Sequence, residues 1–170
     1  ASARQGGDYL ARAAHYRRQR GLDDFTFPAL FARRIKAYKE RYGLDDEVLG
    51  MLSVKAYNNA NRNPFAHMHA AKMSLEHASK AGDRNPCFLG NEELKPFLKV
   101  SDCSQVSDGA SVLLLASKKG LKKLGRSKSD CVEIIGSGHA VESLYVDGDP
   151  TALATVRAAT SRSMAEGGVK

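Results

Sequence analysis

The sequence predicts an α/β chain whose first part is mostly helical, followed by a β-α-β segment and a closing helix. Three observations carry this reading. Residues 8–62 place apolar side chains at helical spacing between capping signals. Val112-Leu113-Leu114-Leu115-Ala116 is an apolar run without alternation, entered through the turn dipeptide Asp108-Gly109, which is the pattern of a strand buried on both faces. Leu153, Val156, Thr160 and Met164 recur at helical spacing behind Asp149-Pro150.

The elements follow in order. Asp8 is read as the cap of a helix through Gln19, with Tyr9, Leu10, Ala13 and Tyr16 on its apolar face and Gly21 as its stop. Thr26-Phe27-Pro28 opens a second helix, since Pro is tolerated in a first turn; Leu30, Phe31, Ile35 and Tyr38 form its expected buried face, and Gly43 ends it. Asp45 caps a third, with Asp46 and Glu47 suited to the positive end of the helix dipole. Its expected buried stripe is Val48, Leu52, Ala56 and Ala60, and Asn63-Pro64 terminates it. Residues 63–90 show no period and are punctuated by Asn63-Pro64, Gly82-Asp83 and Asn85-Pro86, so they read as a long irregular connection. Asn91 with Glu93 and Leu94 suggests one helical turn before Pro96. Beyond it, strand 110–116, a short helix from Ser117 to Leu124 closed by Gly125, and strand 131–135 make a β-α-β order that implies an α/β layer. A last helix runs from Asp149-Pro150 to Glu166, with Leu153, Val156, Thr160 and Met164 inward.

Composition narrows the function. A chain of 170 residues, 42% apolar and 26% charged, is ordinary for a globular protein, and no apolar run is long enough for a membrane-spanning helix. Residues 1–7 have no apolar core of the signal-peptide kind. Three cysteines, Cys87, Cys103 and Cys131, without Cys-x-x-Cys spacing, argue for reduced thiols in an intracellular compartment. The net charge of +7 is uneven: Arg12, Arg17, Arg18 and Arg20 lie near the start, and Lys118, Lys119, Lys122, Lys123, Arg126 and Lys128 later. Such excess suits anionic partners, either phosphorylated cofactors or nucleic acid. A nucleic-acid-binding module is the alternative, but no nucleic-acid motif is present and few aromatics are interleaved with the charges.

Several motifs carry less than they first suggest. His67, His69, His77 and Cys87 match no closed zinc pattern, so no metal is expected. Gly136-Ser137-Gly138 lacks the third glycine and the following helix of a dinucleotide site, and is read as a loop leaving the sheet with His139 exposed. Cys103 has no identifiable base or cation to activate it and is read as a packing or ligand-wall residue.

Three stretches, in this order, resemble thiolases of the sterol-carrier-protein type. Phe27-Pro28-Ala29-Leu30-Phe31-Ala32, followed by the run from Lys55 to Met68 (KAYNNANRNPFAHM), looks like their loop domain. Asp102-Cys103-Ser104-Gln105-Val106-Ser107-Asp108-Gly109-Ala110 is similar to the segment that returns the chain to the core, and is the most specific of the three. The helix Leu153–Met164 with Gly167-Gly168-Val169 resembles the first helix of the C-terminal half. Residues 1–42 are worded most like trypanosomatid-like members.

The resemblance implies a partial thiolase-like fold: residues 1–105 the loop domain, 106–147 the end of the N-terminal half, and 148–170 the start of the C-terminal half. It implies an acyltransferase that cleaves 3-oxoacyl-CoA with coenzyme A, or runs the reverse condensation, and that forms a homodimer or homotetramer in a peroxisome-type organelle (glycosome) or a mitochondrion. The family's nucleophilic Cys would precede Ala1, and its His and second Cys would follow Lys170, so no catalytic residue is carried over and the chain alone is expected to be inactive. A non-catalytic, thiolase-like scaffold is a further alternative. The loop domain supplies the coenzyme A site. The pantetheine-contacting Ser falls on Ser104, the polar contact and the Arg near adenine fall by position near Asn91 and Arg84, and Lys95 matches a basic residue just before the Pro96-Phe97 pair. No metal cofactor is implied.

Overall fold

A computed structural model describes residues 3–144 and 148–170. Seven helices occur among them: α1 (Ala3–Ala11), α2 (Tyr16–Gln19), α3 (Thr26–Tyr42), α4 (Asp46–Ala60), α5 (Leu75–Ser79), α6 (Lys118–Lys123) and α7 (Ala154–Gly167). Short 3-10 turns span Arg20–Leu22, Lys95–Phe97, Val100–Asp102 and Lys128–Asp130. The chain divides into two compact units. Unit 1 comprises Ala1–Ser107 and Leu144–Ala152, and unit 2 comprises Asp108–Ser143 and Leu153–Lys170.

Unit 1 is built on α3 and α4. Helix α3 ends at Gly43 in the left-handed region (φ 68°), where a residue without Cβ escapes the steric penalty. Asp45 then caps α4, its side chain accepting from Glu47 N at 2.9 Å. Both ends match the expected signals. The buried faces do not. On α3, Ala29 and Ala32 are fully buried, whereas Phe31 and Tyr38 are exposed. On α4, Gly50 and Ser53 are buried and Val48 and Leu52 are exposed. The reason is close approach: a Cβ on Gly50 would collide with Ser79 of α5, so this interface admits only small residues. The core comprises Ala29, Ala32, Leu89, Leu94 and Leu98, with Leu22, Phe25, Ile35, Phe88 and Phe97 packed against it. Phe25 and Phe88 meet edge to face, with ring centroids 5.5 Å apart.

The expected helix 8–19 is broken into α1 and α2. The Gln19 side chain accepts from His15 N at 2.9 Å, and the amides of Arg12, Ala13 and Ala14 bond to carbonyls three residues back, which ends α1. Asp8 is not a cap but lies within α1, accepting from Arg20 Nε at 2.6 Å and Tyr16 Oη at 2.8 Å. Helix α5 lies inside the stretch 63–90 that reads as irregular; Ser74 Oγ caps it, accepting from His77 N at 3.2 Å.

Unit 2 corrects the β-α-β expectation. Helix α6 forms where expected, capped by Ser117 Oγ, which accepts from Gly120 N. Neither flanking apolar segment is a strand, and no strand occurs among the described residues. A strand exists only through ladder hydrogen bonds to a neighbour, and segments 110–116 and 131–135 have none. Leu113 and Leu114 are therefore 88% and 84% exposed instead of buried. Helix α7 starts at Ala154, not at Pro150: the Asp149 carboxylate accepts from Thr151 N at 2.8 Å and Thr151 Oγ1 at 2.6 Å, and Ala152 N bonds to Asp149 O, which makes a capped turn that is not continued as helix. Its packed face is also different from the expected one: Val156 and Leu153 are exposed, and Gly136 and Gly138 lie against the backbone of Ala159, Ser163 and Gly167.

Candidate functional site

Segment 82–104 carries all four candidate ligand residues, and its geometry comes from one buried polar cluster. Asn85, 2% exposed, is the centre. Its Nδ2 donates to Ser101 Oγ at 3.0 Å, with the carbonyls of His77 (2.8 Å) and Lys80 (3.1 Å) as further acceptors. Ser101 N donates back to Asn85 Oδ1 at 2.9 Å, and Ser101 Oγ donates to Ala78 O at 3.1 Å. Ser53 Oγ on α4 donates to Ser101 O at 2.6 Å. A satisfied buried network of this kind rigidifies what it holds. It ties α4, α5, the 82–85 turn and the 100–102 turn together.

Arg84 precedes Asn85 and Ser104 follows Ser101 by three residues, so the cluster anchors the two segments that bear them. Both side chains are exposed; Ser104 Oγ donates to Gln105 O at 3.2 Å. Asn91 is used structurally. Its Nδ2 donates to Leu22 O at 3.1 Å, its Oδ1 accepts from the amides of Glu93 and Leu94, and its own amide donates to Asp23 Oδ2 at 2.7 Å. Asn91 thus forms the expected turn before Pro96 and joins it to the Leu22–Phe25 corner. Lys95 lies one turn on and pairs with Glu92 at 3.3 Å. No local pattern singles out Asn85, Ser101 or Ser53; Asn85-Pro86 reads locally only as a turn.

Cys103 is half-buried, and burial first, then the neighbouring Asp102 carboxylate, pushes its thiol pKa up. That is the opposite of an activated nucleophile. Asp102 accepts from both Lys99 N (2.8 Å) and Lys99 Nζ (3.0 Å), a pair almost wholly buried beside it. No group of three or more His, Cys, Asp or Glu that could hold a metal occurs among the described residues. No helix among them is long and apolar enough to cross a membrane.

The early basic cluster is largely engaged within the chain. Arg20 pairs with Asp8, whose carboxyl is held below its usual range first by Arg20 and then by Tyr16. Arg12 pairs with Asp8 at 3.7 Å and lies over the Tyr16 ring at 5.0 Å. These residues serve the α1–α2 corner.

No protein-family model matches the chain. It is 31% identical to an acetyl-CoA acetyltransferase of Methanocaldococcus jannaschii over 119 residues, 70% of this chain and 27% of that protein. It is 28% identical to non-specific lipid-transfer protein-like 2 of Caenorhabditis elegans, over 68% of this chain and 26% of that protein. It is 30% identical to sterol carrier protein 2 of Oryctolagus cuniculus, over 64% of this chain and 18% of that protein. The chain therefore spans about a quarter, or less, of the length of these curated relatives. The likenesses agree with the resemblance carried by the sequence motifs and support one family for the chain: the thiolase and sterol-carrier-protein type.

Proposed function

We propose that the chain is the coenzyme A-binding portion of a thiolase-type acyltransferase that cleaves 3-oxoacyl-CoA with coenzyme A, or runs the reverse condensation. The observation that carries the reading is the likeness to acetyl-CoA acetyltransferases, joined to a site whose exposed Arg84 and Ser104 flank the anchored Asn85–Ser101 pair. Coenzyme A needs a cation near its phosphates and small polar groups along its pantetheine arm. Arg84 and Lys95 are the cations of this reading, Ser104 is the pantetheine contact, and Asn91 holds the turn between them. The chain's contribution is orientation of the substrate. Its nucleophile is not Cys103, so the attacking thiolate belongs to another part of the whole protein. A homo-oligomer in a peroxisome-type organelle or a mitochondrion belongs to the same proposal.

The test is calorimetric titration of the full chain with coenzyme A. Ser104→Ala and Arg84→Gln should each weaken binding about three- to tenfold, the span of one lost hydrogen bond at an exposed site. Salt should weaken it modestly, whereas nucleic-acid binding would fall steeply between low and moderate salt. No binding by the parent chain, or an affinity unchanged from the parent in both variants, removes the reading.

A further inference from the structure

The geometry points to a second ligand site on α4, a cleft for a small amphiphilic organic anion whose charged head sits between Lys55 and Arg62. The cleft has a volume of about 360 Å³. This is at the small end of ligand sites, which run from roughly 300 to 1,000 Å³. Its polar lining is Lys55, Asn58, Asn59 and Arg62, and its apolar lining is Met51, Val54 and Leu75. Positions 51, 54, 55, 58 and 59 follow helical spacing on α4, and Arg62 lies in the turn just after it, its amide bonded to Asn59 O, so the lining is apolar at its start and cationic and amide-bearing at its end. Leu75 supplies the opposite wall from α5.

Charge selects the ligand. Lys36, Lys39, Lys80, Lys95, Lys99 and Lys128 all pair with carboxylates. Lys55 and Arg62, like Lys72, Arg84 and the Lys118–Lys123 cations, are not among the ion-paired residues, but they share one cleft, and no acidic side chain lines it. Two unpaired cations with two amides in a concave surface favour an anion, and the fork of Arg62 can hold a phosphate or carboxylate through two hydrogen bonds. The apolar wall then selects a head group with a hydrocarbon body.

The walls are held in place without a ligand. Gly50 lets α5 approach α4 closely, and Ser74 caps the start of α5 beside Leu75. Asn61 Nδ2 lies 2.6 Å from Ala71 O and 2.8 Å from His69 O, which ties the connection leading to Leu75 back to the end of α4. None of Arg84, Asn91, Lys95 and Ser104 lines this cleft, so the site is separate from the coenzyme A reading.

The experiment is an amide NMR titration of the full chain with octyl phosphate, with octanoate, octanol and inorganic phosphate run alongside. Octyl phosphate should saturably shift the side-chain amides of Asn58 and Asn59 and the Leu75 backbone amide. Octanoate doing the same also supports the site, and the ratio of the two affinities identifies the preferred head group. Octanol and inorganic phosphate should each bind at least tenfold more weakly. The double variant Lys55→Gln/Arg62→Gln, and separately Met51→Glu, should each weaken octyl phosphate at least tenfold while leaving the far-UV circular dichroism unchanged. Inorganic phosphate binding as tightly as octyl phosphate, unchanged affinity in the folded variants, or shifts confined to residues 84–104 would each overturn the proposal.

Discussion

Asn85 shows how much of the site rests on one amide. Its Oδ1 and Nδ2 together serve Ser101 N and Ser101 Oγ, both in buried bonds, and two carbonyls in partly buried ones. Asn85→Ala would leave the Ser101 amide buried without its partner, and a stranded buried polar group costs about 1–3 kcal/mol. A loss of about 3 kcal/mol in urea unfolding is expected; a loss below about 1 kcal/mol would mean that the cluster does not hold segment 82–104. Cys103 gives a second residue-scale prediction. Burial and Asp102 raise its thiol pKa, so at a given pH less thiolate is present than on a free cysteine. Iodoacetamide at neutral pH should therefore label exposed Cys131 well before Cys103, and Cys103 labelling should keep accelerating as pH rises beyond the free-thiol range. Fastest labelling at Cys103, read by peptide mass spectrometry, would contradict its assignment as a packing residue. At this scale the sequence was readable only in part. Ser104, Arg84 and Lys95 came from motif resemblance, whereas Asn85 and Ser53 meet at Ser101, 16 and 48 residues away, a partnership that no local pattern marks.

Helix ends were legible in the sequence because caps are local chemistry: Asp45, Ser117 and Gly43 each act on the residues beside them. Helix faces were less legible, because small residues at close helix contacts carry no periodic hydrophobic signal. Gly50 against Ser79 is one case, and Gly136-Ser137-Gly138 on α7 is the other. That triplet reads as a loop, but both of its glycines lie on the α7 backbone, Ser137 N donates to Glu166 Oε2 at 2.8 Å, and Arg162 donates to His139 O at 2.9 Å. A Cβ on Gly138 would run into the Ala159 carbonyl and the Ser163 amide, both backbone atoms that cannot swing aside. Overpacking of this sort costs about 1–3 kcal/mol. Gly138→Ala should therefore release segment 136–139 from α7 and lower the hydrogen-exchange protection of the Ser137 amide about tenfold or more. Gly109→Ala, whose Cβ meets nothing within 4 Å, is the control. Equal protection in the two variants would show that the triplet does not need its glycines.

At the scale of the whole molecule, net charge and exposed apolar surface act in opposite directions. The charge of +7 keeps copies of the chain apart. Val112, Leu113, Leu114 and Leu115 are 79–88% exposed, with Ile134 and Ile135 in the partner segment also exposed. A run of this kind is a template for pairing with another chain. The strand pattern in the sequence was legible, but its realisation depends on a neighbouring strand, which these residues do not supply to one another. Charge repulsion is long-ranged and weakens with salt, since the screening length falls from about 30 Å at 0.01 M to about 8 Å at 0.15 M. Apolar association is not weakened in that way. The full chain should therefore be monodisperse at low ionic strength and should self-associate as salt rises, as followed by sedimentation or light scattering. Leu113→Lys/Leu115→Lys adds charge and removes apolar surface from the same segment, so it should stay monomeric at both ionic strengths. Association that instead weakens with added salt would mean that ion pairs, not the 112–115 run, bring the copies together.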